Sequence, residues 1–140
     1  MKKILLCLSL LWMGGILPAG AAENDQSQAA AVSDSYAYYG FEPEIVTNYI
    51  SNRKKLGFVR ISVELMVKDQ QDLLSIQHHD PLLRAAIVEI LGNQTEDKIK
   101  SLTGREDIRR ECFETINRLL QHETGKKIVV NLLFTRYLYD

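Results

Sequence analysis

Val59-Arg60-Ile61-Ser62-Val63-Glu64-Leu65-Met66-Val67-Lys68 places an apolar side chain at every odd position from 59 to 67, against Arg60, Ser62, Glu64 and Lys68 on the other phase. A side-chain period of two over that length specifies a strand with one face on a core and the other toward water. Upstream, Tyr36 to Phe41 is rich in aromatics and suits a short strand. Glu42-Pro43-Glu44-Ile45-Val46 continues it in extended form, because Pro43 disfavours helix at its neighbour. This is a first, edge-type strand. Between the two strands Asn48 to Gly57 carries Arg53-Lys54-Lys55, which reads as a solvated basic loop in preference to a contact for anionic lipid headgroups.

Downstream the period changes to that of helices. Asp69 is suited to cap a short helix carrying Leu73, Leu74 and Ile76, and Asp80-Pro81 to restart the chain as a second one. The body of that second helix, Leu82 to Leu91, is apolar on nearly every side except at Arg84 and Glu89, so it is expected to be covered on most faces as the central helix. Gly92-Asn93 suits its end, and Thr95 opens a short turn. Thr103 with Glu106 reads as a capping box for a long third helix. Its buried stripe is Ile108, Cys112, Ile116, Leu119 and Leu120, its wet side pairs Glu106 with Arg110 and Glu114 with Arg118, and Gly125 stops it. Ile128 to Tyr139 is β-branched and aromatic, a last strand. The expected class is therefore α+β: a small sheet of about three strands, at least partly antiparallel, with three helices packed on one face in the order β-β-α-α-α-β.

The domain so outlined runs from residue 36 to 140. Before it, Met1-Lys2-Lys3, the apolar run from Ile4 to Leu17 and Ala19-Gly20-Ala21-Ala22 have the three parts of a secretory signal peptide over residues 1–22, cleaved or kept as an anchor. Residues 23–35 are small and polar, the composition of a flexible linker. This pattern places the domain in the periplasm, or at the inner membrane facing the periplasm if the leader stays, which is also the expected route of any membrane contact. Over residues 36–140 there are 15 bases and 15 acids, a neutrality that argues against nucleic acid as a partner.

Residues that could carry chemistry are few. His78, His79 and Asp80 have metal-ligand side chains, but adjacent helical residues diverge by about 100° and no further ligand lies at a suitable offset. No serine elbow or phosphate-cradling glycine loop occurs, and Cys112 sits on a core stripe. No catalytic, cofactor or metal residue is assigned, and the chain is read as a protein that is not an enzyme. Aromatic and basic side chains suit contact instead. The candidate interface residues are Tyr36, Tyr38, Tyr39, Arg53, Lys54, Lys55, Tyr137 and Tyr139.

Pro81-Leu82-Leu83-Arg84-Ala85-Ala86-Ile87-Val88-Glu89-Ile90-Leu91, followed by Thr95 and by Leu102-Thr103-Gly104-Arg105, resembles a stretch of the flagellar basal-body-associated FliL family. Glu42-Pro43-Glu44-Ile45-Val46-Thr47-Asn48-Tyr49 and Val130-Asn131-Leu132-Leu133-Phe134-Thr135 are similar to the start and the last strand of its soluble domain. The resemblance implies a stomatin/prohibitin-like fold, self-association into a homo-oligomer of ring form, contact with stator or basal-body proteins in support of motility, and no catalytic residue. The leader departs from the family's usual cytoplasmic tail and full spanning helix. A second reading is a secreted module that binds a small ligand or peptide in an apolar pocket between helices and sheet.

Overall fold

The computed structural model describes residues 35–52 and 55–140. Four strands and three helices follow one another as β1 (Ala37–Gly40), β2 (Ile45–Ile50), β3 (Leu56–Val67), α1 (Asp72–Gly92), α2 (Glu96–Lys100), α3 (Leu102–Thr124) and β4 (Val129–Tyr139). The strands all pair antiparallel with β3 at the centre, and an isolated parallel bridge joins Ile50 to Thr95. β1 and β2 lie end to end along one edge of β3, since Ala37 stands opposite Val67, Gly40 opposite Glu64, Ile45 opposite Ile61 and Ile50 opposite Leu56. β4 occupies the other edge. The sheet therefore has four strands in three rows.

The expected single edge strand from Tyr36 to Val46 is interrupted at Phe41-Glu42-Pro43-Glu44, so the order is β-β-β-α-α-α-β. Proline at 43 cannot donate to a ladder. The chain leaves the ladder there, with a cis Glu42–Pro43 bond, and rejoins it two residues later. Phe41 N still donates to the Val63 carbonyl at 3.1 Å, keeping the two segments in one register.

The alternation of β3 is as read. Val59, Ile61, Val63, Leu65 and Val67 are all buried, and they meet the helices on one face of the sheet. β4 reaches the same face irregularly. Register shifts against Ser62/Val63 and Met66/Val67 make Thr135 and Val130 the extra residues of two bulges. Leu132 and Val129 thereby stay on the core side, beside the half-buried Phe134 and Tyr137.

The two helices expected before residue 92 are one. α1 runs through Pro81, and Asp80, in mid-helix, caps nothing. Proline removes one helical hydrogen bond, but Ile76, Leu83, Ile87 and Leu91 form a single buried stripe across it, and Pro81 itself faces water. Burial of four large side chains outweighs one lost bond. Nor is α1 covered on most sides: Leu74 and Leu82 are exposed. α1 and α3 lie side by side in one layer on the sheet, and no second layer lies above them among the described residues.

α2 starts where expected, with Thr95 Oγ1 accepting from Lys98 N. The cap of α3 is Ser101, whose Oγ accepts from Gly104 N at 3.0 Å, and not Thr103. A Cβ on Gly104 would come within 2.1 Å of the Lys98 carbonyl, so the α2–α3 junction needs glycine there. Ile108, Cys112, Ile116 and Leu120 are buried as expected, and Leu119 packs at their margin. On the wet side the ion pairs are Glu106–Arg109 and Asp107–Arg110, three residues apart and not four. α3 ends at Gly125 with φ 83°, the left-handed conformation glycine adopts freely.

Candidate functional site

The candidate contact residues divide by direction. Tyr39 turns inward: its hydroxyl donates to Asp80 Oδ2 at 2.8 Å and its ring meets Phe41 edge-on. Burial, then the bond to Asp80, pushes its pKa up to about 12. Asp80 also pairs with Arg84 at 3.4 Å, and Arg84 donates to the carbonyls of Pro43 (2.7 Å) and Glu42 (3.1 Å) with its guanidinium over the Phe41 ring. This network holds the break between β1 and β2. Tyr137 is likewise half-buried, donating to the Ile99 carbonyl at 3.0 Å beneath Arg105, and burial pushes its pKa up to about 12. Tyr36 is half-buried, whereas Tyr38, Lys55 and Tyr139 face water. Arg53 and Lys54, like the leader and residues 23–34 of the linker, lie outside the described residues.

The chemistry-bearing side chains are committed to structure. His79 Nδ1 lies 2.7 Å from the Ser75 carbonyl, and its Nε2 is 3.9 Å from Glu123, which also meets His122 at 3.0 Å. Among the described residues no three His, Cys, Asp or Glu side chains converge to hold a metal ion. Burial pushes the Cys112 thiol up to about 12, which keeps it protonated. A shallow cleft of about 290 Å³ lies beside Ser51, Lys55, Glu96 and Lys100. There Glu96 accepts from Lys100 (2.9 Å), Ser51 Oγ (2.8 Å) and Asn52 N (2.8 Å), bonds that hold its carboxyl down at about 2. A carboxylate that weakly basic is a poor proton acceptor for Ser51.

Two open surfaces among the described residues suit contact. The first is the outer edge of β4. Val63 gives its carbonyl to Phe41, so odd-numbered β3 residues direct their backbone groups toward β1 and β2 and even-numbered ones toward β4. On β4, Val129, Leu132, Phe134, Tyr137 and Tyr139 stand opposite odd residues and therefore direct theirs outward. Two of these are capped from α3 and from the strand itself. Asn117 donates to the Val129 carbonyl (2.8 Å) and accepts from its N–H (3.1 Å), as a neighbouring strand would. Arg109 donates to the Leu132 carbonyl (2.9 Å), and Asn131 Oδ1 accepts from Leu132 N. The outward groups of Phe134, Tyr137 and Tyr139 take no partner among the described residues. The first half of the edge is closed and the second half is open.

The second surface is the face of the sheet turned away from the helices, at the end where β2 turns into β3. Ile50 and Leu56, paired across the hairpin, are 72% and 65% exposed, and Val46, Phe58 and Leu138 are each about half exposed beside them. Sequence reading missed these residues. The signal available was the wet phase of the strand, which carries Leu56 and Phe58 where a purely solvated face would carry polar side chains.

Comparison with known proteins bears on the whole domain. The chain matches the family model described as flagellar basal body-associated protein FliL over residues 38–139, nearly the whole described domain. It is similar to the protein named flagellar protein FliL of Aquifex aeolicus (strain VF5), 33% identical over 100 residues that make up 71% of this chain and 59% of that relative's length. A match that runs from β1 to the end of β4 takes in the break at Pro43, the α1 network and the capped β4 edge together, and on it the chain belongs to the flagellar basal body-associated protein FliL family.

Proposed function

We propose that this protein is a non-catalytic accessory of the flagellar basal body, which self-associates and contacts stator units in support of motility. The observation that carries the reading is the family match from β1 to the end of β4. The sheet with helices on one face also supports the stomatin/prohibitin-like fold that the family resemblance implies. The partly capped edge supports a defined mode of self-association. An open strand edge is a template for another strand, and closing its first half limits where a second copy can add. Phe134 to Tyr139 is the segment we assign to that contact, with Tyr139 as its exposed aromatic side chain. The same reading places the domain in the periplasm, either free after removal of residues 1–22 or held at the inner membrane by them.

The test is the mass of the full-length protein in solution and the swimming of a strain that carries the variant. Tyr139→Pro removes an outward N–H without touching a bond to β3, and Tyr139→Ala removes the side chain alone. Loss of the oligomer and of swimming with Tyr139→Pro is expected. An unchanged oligomer with both variants would remove the β4 edge as the contact, and normal swimming of a deletion strain would remove the flagellar role.

A further inference from the structure

The open half of the β4 edge is short enough to fix how a second copy can use it. Between the bulge at Thr135 and Asp140, backbone groups point outward only at Tyr137 and Tyr139, while Arg136, Leu138 and Asp140 direct theirs to β3. In an antiparallel pair, hydrogen bonds are exchanged between residues that stand directly opposite each other. When two β4 strands pair in this way, all four outward groups are used if Tyr137 of each copy stands opposite Tyr139 of the other.

We propose that two copies join their β4 edges antiparallel about a two-fold axis at Leu138, an inference that rests on the self-association assigned above and gives it a register. The axis stands perpendicular to the sheet, so each strand repeats the other's contacts. On the outer face Leu138, about half exposed, meets its own copy across the axis in a non-hydrogen-bonded pair. On either side of it Arg136 of each copy stands opposite Asp140 of the other. Shifting the axis by two residues sets Arg136 or Asp140 against itself, and like charges directly opposite are destabilising. Shifting it by one pairs only one of the two tyrosines. Within one copy Arg136 already holds Glu44, and Asp140 the Phe58 N–H, so the new charge pairs act by excluding other registers more than by adding affinity. On the inner face the Tyr137 and Tyr139 rings, 6.1 Å apart in one copy, are joined by the same two of the other, with Arg105 and Lys100 over them. α3 does not stand in the way. It runs back along β4 from Arg105 over Tyr137 to Asn117 at Val129, so an axis at Leu138 directs the two α3 helices away from each other.

The experiment is oxidative cross-linking of the full-length chain, with Cys7→Ser as the background and the buried Cys112 left in place. Cα atoms in a non-hydrogen-bonded pair lie about 4.5 Å apart, within the span of a disulfide. The two Arg136 Cα atoms are four residues apart along the paired strands, about 14 Å, and so are those of Asp140. Leu138→Cys should double in mass on oxidation and return on reduction. Arg136→Cys and Asp140→Cys should each stay uncrosslinked alone and cross-link when mixed. All three side chains are exposed, so the variants keep the core. No cross-link at Leu138→Cys, or equal cross-linking by every variant alone, would overturn the register. If Tyr139→Pro dissolves the oligomer even so, the β4 edge stands as the contact and the register alone falls; if the oligomer survives Tyr139→Pro, both fall.

Discussion

Asn117 is buried in α3, and both ends of its amide are bound to the backbone of Val129. Replacing it with alanine leaves one N–H and one C=O of β4 without partners in a region closed to water. Each of the two orphaned groups costs about 1–3 kcal/mol, so the loss expected is about 2–6 kcal/mol, out of the roughly 5–15 kcal/mol typical of a domain. Asn117→Leu separates that cost from the loss of volume, because leucine fills the site and still leaves both groups unpaired. The assay is equilibrium unfolding in urea, in which a shift of midpoint at constant slope reports stability alone. Both variants should be destabilised to a similar degree. Wild-type stability in the leucine variant would refute the argument that the amide acts through its hydrogen bonds.

The acid dependence of stability is set in part by Glu96, whose folded pKa of about 2 lies below its ordinary 4.5. A depressed carboxyl favours the native state fully above the ordinary value, and that contribution disappears as pH falls from about 4.5 toward 2. Thermal unfolding followed over that window should show the decline, and Glu96→Gln should flatten it; an identical profile in the variant would exclude this carboxylate. Gly104→Ala brings a Cβ to 2.1 Å from the Lys98 carbonyl and 2.6 Å from Ser101 Oγ, displacing the cap of α3. A cap alone contributes about 1 kcal/mol. Calorimetry should therefore show a loss of about 2 kcal/mol, strain included, and a neutral result would mean that the junction relaxes. Arg84→Lys keeps the charge but cannot hold two carbonyls and stack on Phe41 at once. Hydrogen exchange between Tyr39 and Ile45 should accelerate severalfold while the β3–β4 ladder stays protected.

The parts of the fold legible in the sequence are those in which one side-chain period dominates. β3 was readable because five apolar residues alternate without a break, and α3 because its stripe and its Gly125 stop agree. α1 was misread because local capping chemistry at Asp80-Pro81 is weighted by rule, whereas the decision between one helix and two rests on whether Ile76 and Leu83 share a core, which is a tertiary fact. β4 was readable as a strand but not in its facing, since Val129 to Tyr139 is apolar on both phases and two bulges reset the alternation. The contact residues suffered from the same limit. Tyrosines count as interface candidates by type, yet Tyr39 and Tyr137 spend their hydroxyls on Asp80 and on Ile99, and no sequence period announces those partners.

What the sequence hid most completely is the division of labour between the two sides of the sheet. A sheet with helices on one face leaves the other face to water unless something covers it, and the usual solution is polar side chains on the outward phase. Here that solution holds in the middle of β3, where Ser62 and Glu64 face outward, and fails at its start, where Leu56 and Phe58 do. The edge behaves in the same graded way, closed by Asn117 and Arg109 at one end and open at the other. The open stretch of edge lies along the half of β4 that ends beside Phe58, at the hairpin end of the sheet. A copy added at Phe134 to Tyr139 would therefore extend the sheet at the end that carries the exposed Ile50, Leu56 and Phe58. Two copies joined in this way through their β4 edges would carry that apolar face on one side of a continuous sheet, so the two features would act together in any contact made by the pair.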